Sequence, residues 1–356
     1  MSGDNATRVE WNWIERFAQQ FELCGLQASE SVILLSETSS RPELVETARL
    51  ALGRLGGGVA QVVMPTPPNR GPVPIRSTGA SLAIAGHAPT IAALQAADFV
   101  VDCTVEGLLH APELEVVLSA GTRILMISNE HPEVFERMVH DPGLASRVAR
   151  GKSLLVAASD MRVTSAAGTD LIIDLTGAFR AGSHGYTSQP GDIAHWPGGL
   201  VLAFPTAGTV SGSLVLVPGD VNLTFKEYLS SLIRLTIESD RIVSIDGDGP
   251  DAQLFAGYLA AFDELDAYAT SHVGWGMNGA AKWESLALYD KSQINGTELR
   301  AVAGNFLYST GANEVAGRFC RGHFDLPMRS CTITLDGEPV VVDGKLIPEL
   351  APPTPS

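Results

Sequence analysis

Over residues 1–155, short apolar runs alternate with amphipathic segments, and this rhythm restricts the fold more tightly than any other property of the chain. SVILLSE (31–37), GGVAQVVMP, DFVVDC and TRILMIS have the length and apolar content of buried strands. Between and after them, PELVETARLALGRLG, TIAALQAA, ELEVVLSAG and PEVFERMVH carry apolar residues at helical spacing. Strands and helices in alternation predict an α/β domain with a mainly parallel sheet, helices covering its faces. No G-x-G-x-x-G follows the first strand and no G-x-x-x-x-G-K-[ST] occurs. GRLGGG (53–58) follows a helix and leads into a strand, the wrong order for phosphate binding, so its glycines read as a helix cap and a turn.

From about residue 156 the texture becomes β-rich, with SLLVAASD, TDLIIDLTG, GLVLAFP, GSLVLVPGDV, RLTIESDRIVSIDGDG and CTITLDGEPVVVDGKL. ESDRIVSIDG and LDGEPVVVDGKL read as hairpins. Two helical segments interrupt, DAQLFAGYLAAFDELD and AAKWESLALYD. The expectation is an α+β domain over 156–347, a disordered tail over 348–356, and a ligand cleft where the two domains meet. Two long loops stand out: PTPPNRGPVPIRSTG (65–79), a lid or oligomer contact, and GSHGYTSQPGDIAHWPGG (182–199), which gathers two His, a Tyr and a Trp among glycines.

The chain of 356 residues carries a net charge of −16, which disfavours nucleic acid or an anionic membrane as partner and favours a small uncharged or weakly charged ligand. The N-terminus lacks a basic region followed by an apolar run, and no apolar stretch approaches a membrane span, so a cytoplasmic protein is expected. Cys24, Cys103, Cys320 and Cys331 are scattered without a C-x-x-C pair, against a zinc ribbon or a disulfide framework. Cys320 lies near His323 but reads as a small buried hydrophobe. A homo-oligomer is the default for an enzyme of this size.

In RGHFDLPMRS, His323 and Asp325 are two residues apart, and in an extended chain both side chains point to one face. With 8 His and 40 acidic residues, roughly one His-x-acid triplet arises by chance. Two occur, and the other, His131 to Glu133, opens a helix, where an acid complements the dipole. A metal at His323 and Asp325 wants a third ligand, for which the other seven histidines are candidates, among them His272, between a helix end and a Gly-Trp-Gly turn. Two neutral imidazoles and one carboxylate leave coordination positions open, a set suited to Fe(II) that holds both a substrate and dioxygen. The same three residues in ordinary core hydrogen bonds are the competing reading.

SHVGWGMNGAAKWESLALYD, GNFLYSTGANEVAG and HFDLPMRSCTITLDGEPVV together resemble segments of bacterial 2,5-dihydroxypyridine 5,6-dioxygenases, non-haem iron enzymes of nicotinate and nicotine catabolism. The likeness extends to VVDCTVEGLLHAPELEVVLSAGTRIL, RVTSAAGTDL and AHWPGG, and so spans most of the chain. It implies Fe(II) held by His272, His323 and Asp325, on the family's S-H-x-G-W-G and H-x-D motifs, with no organic cofactor. It also implies cleavage of the C5–C6 bond of 2,5-dihydroxypyridine with O2, giving N-formylmaleamate. His110 in LLHAPE and His195 in AHWPGG match family histidines, and an imidazole that changes charge near neutral pH can steer a proton. His184 and Tyr186 are expected pocket members, and Trp275 either walls the ring or simply packs. His87, His131 and His140 are assigned surface or structural roles.

The same fold family resembles the M29 metallo-aminopeptidases, whose two-metal sites need further carboxylates. PGGLV places Leu200 where their P-x-G-E-V glutamate would stand, and His272 corresponds to a second such glutamate. A mononuclear site is therefore expected. An aminopeptidase and a catalytically silent binding protein on this scaffold are the alternatives.

Overall fold

The computed structural model describes residues 8–56, 58–68 and 81–353. Most of the Pro-rich loop at 65–79 and the last residues of the tail lie outside the described residues.

Five parallel strands form the first sheet, in the spatial order Gly58–Met64, Ser31–Glu37, Phe99–Cys103, Arg123–Ile127 and Ile193–Trp196. Along the Ser31–Glu37 strand, Val32 and Leu34 join a cluster with Phe17 and Phe21 of the helix Trp11–Leu23, while Ile33 and Leu35 join Ile84, Leu94 and Val117 on the opposite face. Covered on both sides, the strand reads as an unbroken apolar run. Its last member, Ile193–Trp196, comes from beyond residue 155, so the two halves of the chain interlock rather than part at the expected boundary.

The second half builds an eight-stranded antiparallel sheet and a five-stranded one. The expected hairpins form: Glu238 pairs Arg241 around Ser239 and Asp240, and Leu335 pairs Glu338 around Asp336 and Gly337. All four turn residues have positive φ, the backbone that matches the twist of the flanking strands. SLLVAASD is not a strand, since the helix Leu144–Ala157 runs through it. Its apolar run completes a helical stripe with Leu144 and Val148, which the short window hid. AAKWESLALYD keeps only the short helix Ser285–Leu288. The expected tail is in part a core element, because Leu350 is fully buried among the residues of the largest cluster.

The five-stranded sheet is the floor of the site, in the order Arg318–Met328, Phe306–Asn313, Thr270–Gly276, Leu200–Phe204 and Phe179–Ser183. Strand alternation sends Val273, Trp275, Phe306, Tyr308, Phe324 and Leu326 into the core shared with the eight-stranded sheet. The other face, with Leu200, Leu202 and Leu307, looks into a cleft. Across it stand the C-terminal ends of the parallel strands, with Thr104 to Gly107 after one strand and Ser128 and Asn129 after the next. That edge of an open α/β sheet is where ligands bind. No helix among the described residues is long and apolar enough to cross a membrane.

Candidate metal centre

His323 and Asp325 share the cleft face of the strand Arg318–Met328, as the two-residue spacing requires. The neighbouring strand pairs Gly311 with His323 and Ser309 with Asp325. Beyond it, His272 of Thr270–Gly276 reaches the same point. Gly311 has φ +106°, and a Cβ there would meet the Gly322 carbonyl oxygen at 2.0 Å, so the strand closes on the His323 segment only because this residue has no side chain.

The Nε2 atoms of His272 and His323 lie 3.7 and 3.5 Å from Asp325 Oδ1. Among the described residues these three form the only cluster of potential metal ligands, with all three ligand atoms within 4.8 Å of one another. A cation about 2.1 Å from each donor keeps the donors about 3 to 3.5 Å apart, so the set fits one ion with small adjustments. The chemistry of the donors fits as well. Burial, opposed by Asp325, holds the His272 imidazole far below its ordinary range, at about 3, leaving it neutral with a free lone pair. Burial alone would raise the Asp325 carboxyl, but Arg300 and then His323 outweigh it and keep the group ionised well below the usual carboxylate range. Nδ1 of both His272 and His323 is buried without a hydrogen-bond partner. Two such imidazoles around one carboxylate are a costly arrangement for a core that holds only protein.

Asp325 is fixed on both oxygens: Arg300 Nε donates to Oδ2 at 2.6 Å and the Ser309 hydroxyl donates to Oδ1. His195, from the last strand of the parallel sheet, faces the cluster across the cleft, with Nε2 3.4 Å from Thr297 Oγ1. Thr297 Oγ1 is in turn 2.7 Å from Ser128 Oγ. Burial, helped by Arg300 and His110, pushes His195 down to about 3, so it is a neutral imidazole at neutral pH rather than one that changes charge there. His110 also lines the cleft, its ring 5.6 Å from that of His323 and its Nδ1 3.7 Å from Glu314 Oε1.

Both expected pocket members, and Trp275 with them, stand elsewhere. His184 and Tyr186 pack edge to face on each other, with ring centroids 4.3 Å apart, and Tyr186 lies against the Phe17 cluster behind the parallel sheet. Trp275 is fully buried on the core face of its strand, three residues from His272 and therefore on the opposite side. It packs and does not wall the cleft. Cys320 is likewise buried in the core and takes no part in the cluster. Sequence reading missed Arg300, Ser309, Thr297 and Ser128. Only the strand register, which periodicity does not reveal, would have found Ser309 opposite Asp325.

Fold and cluster define the class: an M29 aminopeptidase-like scaffold with one candidate metal centre in the cleft. Wild-type AmpT from Thermus thermophilus shares this fold, with a TM-score of 0.62 at 13% identity, the alignment covering 94% of this chain and 99% of that one. Residues 12–348 match the family model of 2,5-dihydroxypyridine 5,6-dioxygenase, and the chain belongs to that family. It is 36% identical over 338 residues to the 2,5-dihydroxypyridine 5,6-dioxygenase of Pseudomonas putida, covering 94% of this chain and 95% of the relative. The solved structure of the 2,5-dihydroxypyridine dioxygenase from Pseudomonas putida KT2440 superposes with a TM-score of 0.88 at 34% identity, over 94% of this chain and 97% of that one.

Proposed function

We propose that the protein is an Fe(II)-dependent dioxygenase that opens the ring of 2,5-dihydroxypyridine between C5 and C6 with O2, giving N-formylmaleamate. The observation that carries this reading is the buried cluster of His272, His323 and Asp325 in a cleft faced by the neutral imidazole of His195. Family membership supports the substrate and the reaction.

His272, His323 and Asp325 would hold the ion, which supplies a redox-active centre with open positions for dioxygen chemistry. Arg300 and Ser309 keep Asp325 ionised and aimed. Leu200, Leu202, Leu307 and Met126 give the cleft apolar walls that seat the ring and limit water. A neutral His195 accepts the proton of a ring hydroxyl, the anionic and more electron-rich ring left beside it stabilising the imidazolium that burial alone disfavours, while contact with Thr297 orients the imidazole. His110 stands on the His323 side of the cleft, and in this scheme it hands a proton back to the opened product. The four described cysteines are free and buried, which suits a reducing, cytoplasmic setting.

Anaerobic loading with one equivalent of Fe(II), followed by 2,5-dihydroxypyridine in air-saturated buffer, tests the reading. Matched consumption of oxygen and of the substrate's absorbance is expected. Peptide cleavage after loading with zinc, cobalt or manganese, and no oxygen uptake with iron, would instead make it an aminopeptidase. Leu200 argues against that outcome, since an apolar side chain lines the cleft where a second ion would need a carboxylate.

A further inference from the structure

Glu130 is one of the most deeply buried acids among the described residues, at 1% exposure, and it is not a member of the ligand cluster. It stands just past the strand Arg123–Ile127, on the wall contributed by the parallel sheet. Its carboxylate crosses the seam and accepts three successive backbone N–H groups: Oε2 from Asn295 at 2.8 Å, and Oε1 from Gly296 and Thr297, each at 2.7 Å. Those amides open the short helix Thr297–Ala301, whose own N-cap residue, Gly296, has φ +98° and no side chain to cap with. An acid from a distant part of the chain thus does the capping that the local sequence cannot.

The capped segment carries two side chains of the site on a single turn. Thr297 touches His195 Nε2, and Arg300 donates to Asp325 Oδ2. The proton-accepting imidazole and the carboxylate of the cluster are therefore both registered to one backbone turn, and that turn is held by one carboxylate. The hydroxyl contact between Ser128 and Thr297 lies beside it on the same seam. Among the described residues no side-chain hydrogen bond reaches Glu130, and burial pushes its carboxyl upward against the three N–H groups that favour the ion. A buried acid that spends its bonds on one turn of backbone suits a part that sets position.

We propose that Glu130 is a positioning residue of the centre: by clamping the 295–297 amides it sets Thr297 against His195 and Arg300 against Asp325, and so fixes the geometry in which the cluster receives its metal. The inference rests on the function proposed above for its consequence on turnover, but not for the geometry itself.

The test compares Glu130→Ala and Glu130→Gln with Leu235→Ala, a core truncation in the eight-stranded sheet that lowers stability without touching the seam. Three readouts are taken: side-chain ¹⁵N resonances of the histidines in metal-free protein, Co(II) affinity followed by its visible spectrum, and turnover of 2,5-dihydroxypyridine by iron-loaded enzyme. Glu130→Ala is expected to move the His195 resonances, to weaken Co(II) binding about 10- to 100-fold and to lower kcat by a similar factor. Glu130→Gln, which keeps an acceptor for Gly296 and Thr297, should fall between it and the native protein, and it stands in for the alanine variant should that one fail to fold. Leu235→Ala should leave the His195 resonances and Co(II) affinity as they are. If both Glu130 variants match Leu235→Ala, with stability lowered but resonances and affinity unchanged, Glu130 is only a structural cap and the proposal fails. A native protein that does not turn over 2,5-dihydroxypyridine would remove the proposed function, while the resonances and Co(II) affinity would still decide the role of Glu130.

Discussion

Ser309 sits directly across from Asp325 in the antiparallel register of the floor sheet, and its hydroxyl donates to the carboxylate oxygen nearest both imidazoles. Ser309 is fully buried, so this bond has no competition from water. Removing it in Ser309→Ala leaves Asp325 held by Arg300 alone. The variant is expected to fold, to lose about 1 to 3 kcal/mol of stability in metal-free form, and to bind Fe(II) about tenfold more weakly. Denaturant titration and anaerobic calorimetry measure the two quantities. Unchanged iron affinity would show that Oδ1 is not the oxygen that meets the ion.

Gly311 makes a sharper demand. Its positive φ and the 2.0 Å approach of an added Cβ to the Gly322 carbonyl mean that Gly311→Ala forces the His323 strand outward. A loss of about 3 kcal/mol or more in stability is expected, together with impaired metal binding. An alanine variant as stable as the native protein, judged by chemical denaturation, would show that the floor sheet is looser here than its backbone indicates.

Much of this was legible because it depends on local periodicity. The apolar runs of the parallel sheet are visible since both faces are covered, and the i, i+2 spacing of His323 and Asp325 needs only an extended chain. The misreadings share one cause, tertiary context. The run in SLLVAASD belongs to a helix whose earlier turns lie outside a short window, and of the two readings of Trp275 only its parity relative to His272 selects packing in the core. A loop rich in His and Tyr suggested His184 and Tyr186 as pocket members, yet the chain there packs behind the parallel sheet and delivers only His195 to the cleft. Glu130, Arg300 and Ser309 are far apart in sequence from the groups they hold, and no motif marks them.

His195 and His272 give the metal-free protein a pH signature. Both have folded-state values near 3, against about 6.5 in an unfolded chain, so between those limits the unfolded state binds more protons. Their contribution to stability is complete above pH ~6.5 and falls as the solution is acidified toward pH ~3. From pH ~7 to pH ~5 each can remove up to about 2 kcal/mol. Replacing His195 with Asn should flatten that slope, as followed by denaturant unfolding of the chelated protein at several pH values. An equally steep slope in the variant would mean that His195 is already charged in the fold or is reached freely by water. For turnover, His195→Asn is expected to keep its iron and slow kcat about 100-fold, because what it loses is a proton acceptor and not a ligand.

Metal counting bears on both the cluster and its rival. One group of three ligands exists among the described residues; Leu200 and Leu307 line the cleft beside it, and Glu106, the other acid on the lining, is not part of that group. The chain should therefore bind one divalent ion tightly, and a second equivalent should bind no better than to surface carboxylates. Because the ion binds only the folded state, free metal at about 100 times its dissociation constant should raise stability by about 2.7 kcal/mol, and a chelator should reverse the gain. Asp325→Ala should abolish the metal-dependent shift, leaving Arg300 without its carboxylate partner beside the two ligand histidines. Leu200→Glu supplies the converse test: a carboxylate at the apolar wall is expected to disturb seating of the ring and raise KM while iron stays bound at one per chain. Two tightly held ions in the native protein, counted by elemental analysis after gel filtration, would show that the cleft assembles a dinuclear centre despite Leu200, and the dioxygenase reading would give way to the peptidase one.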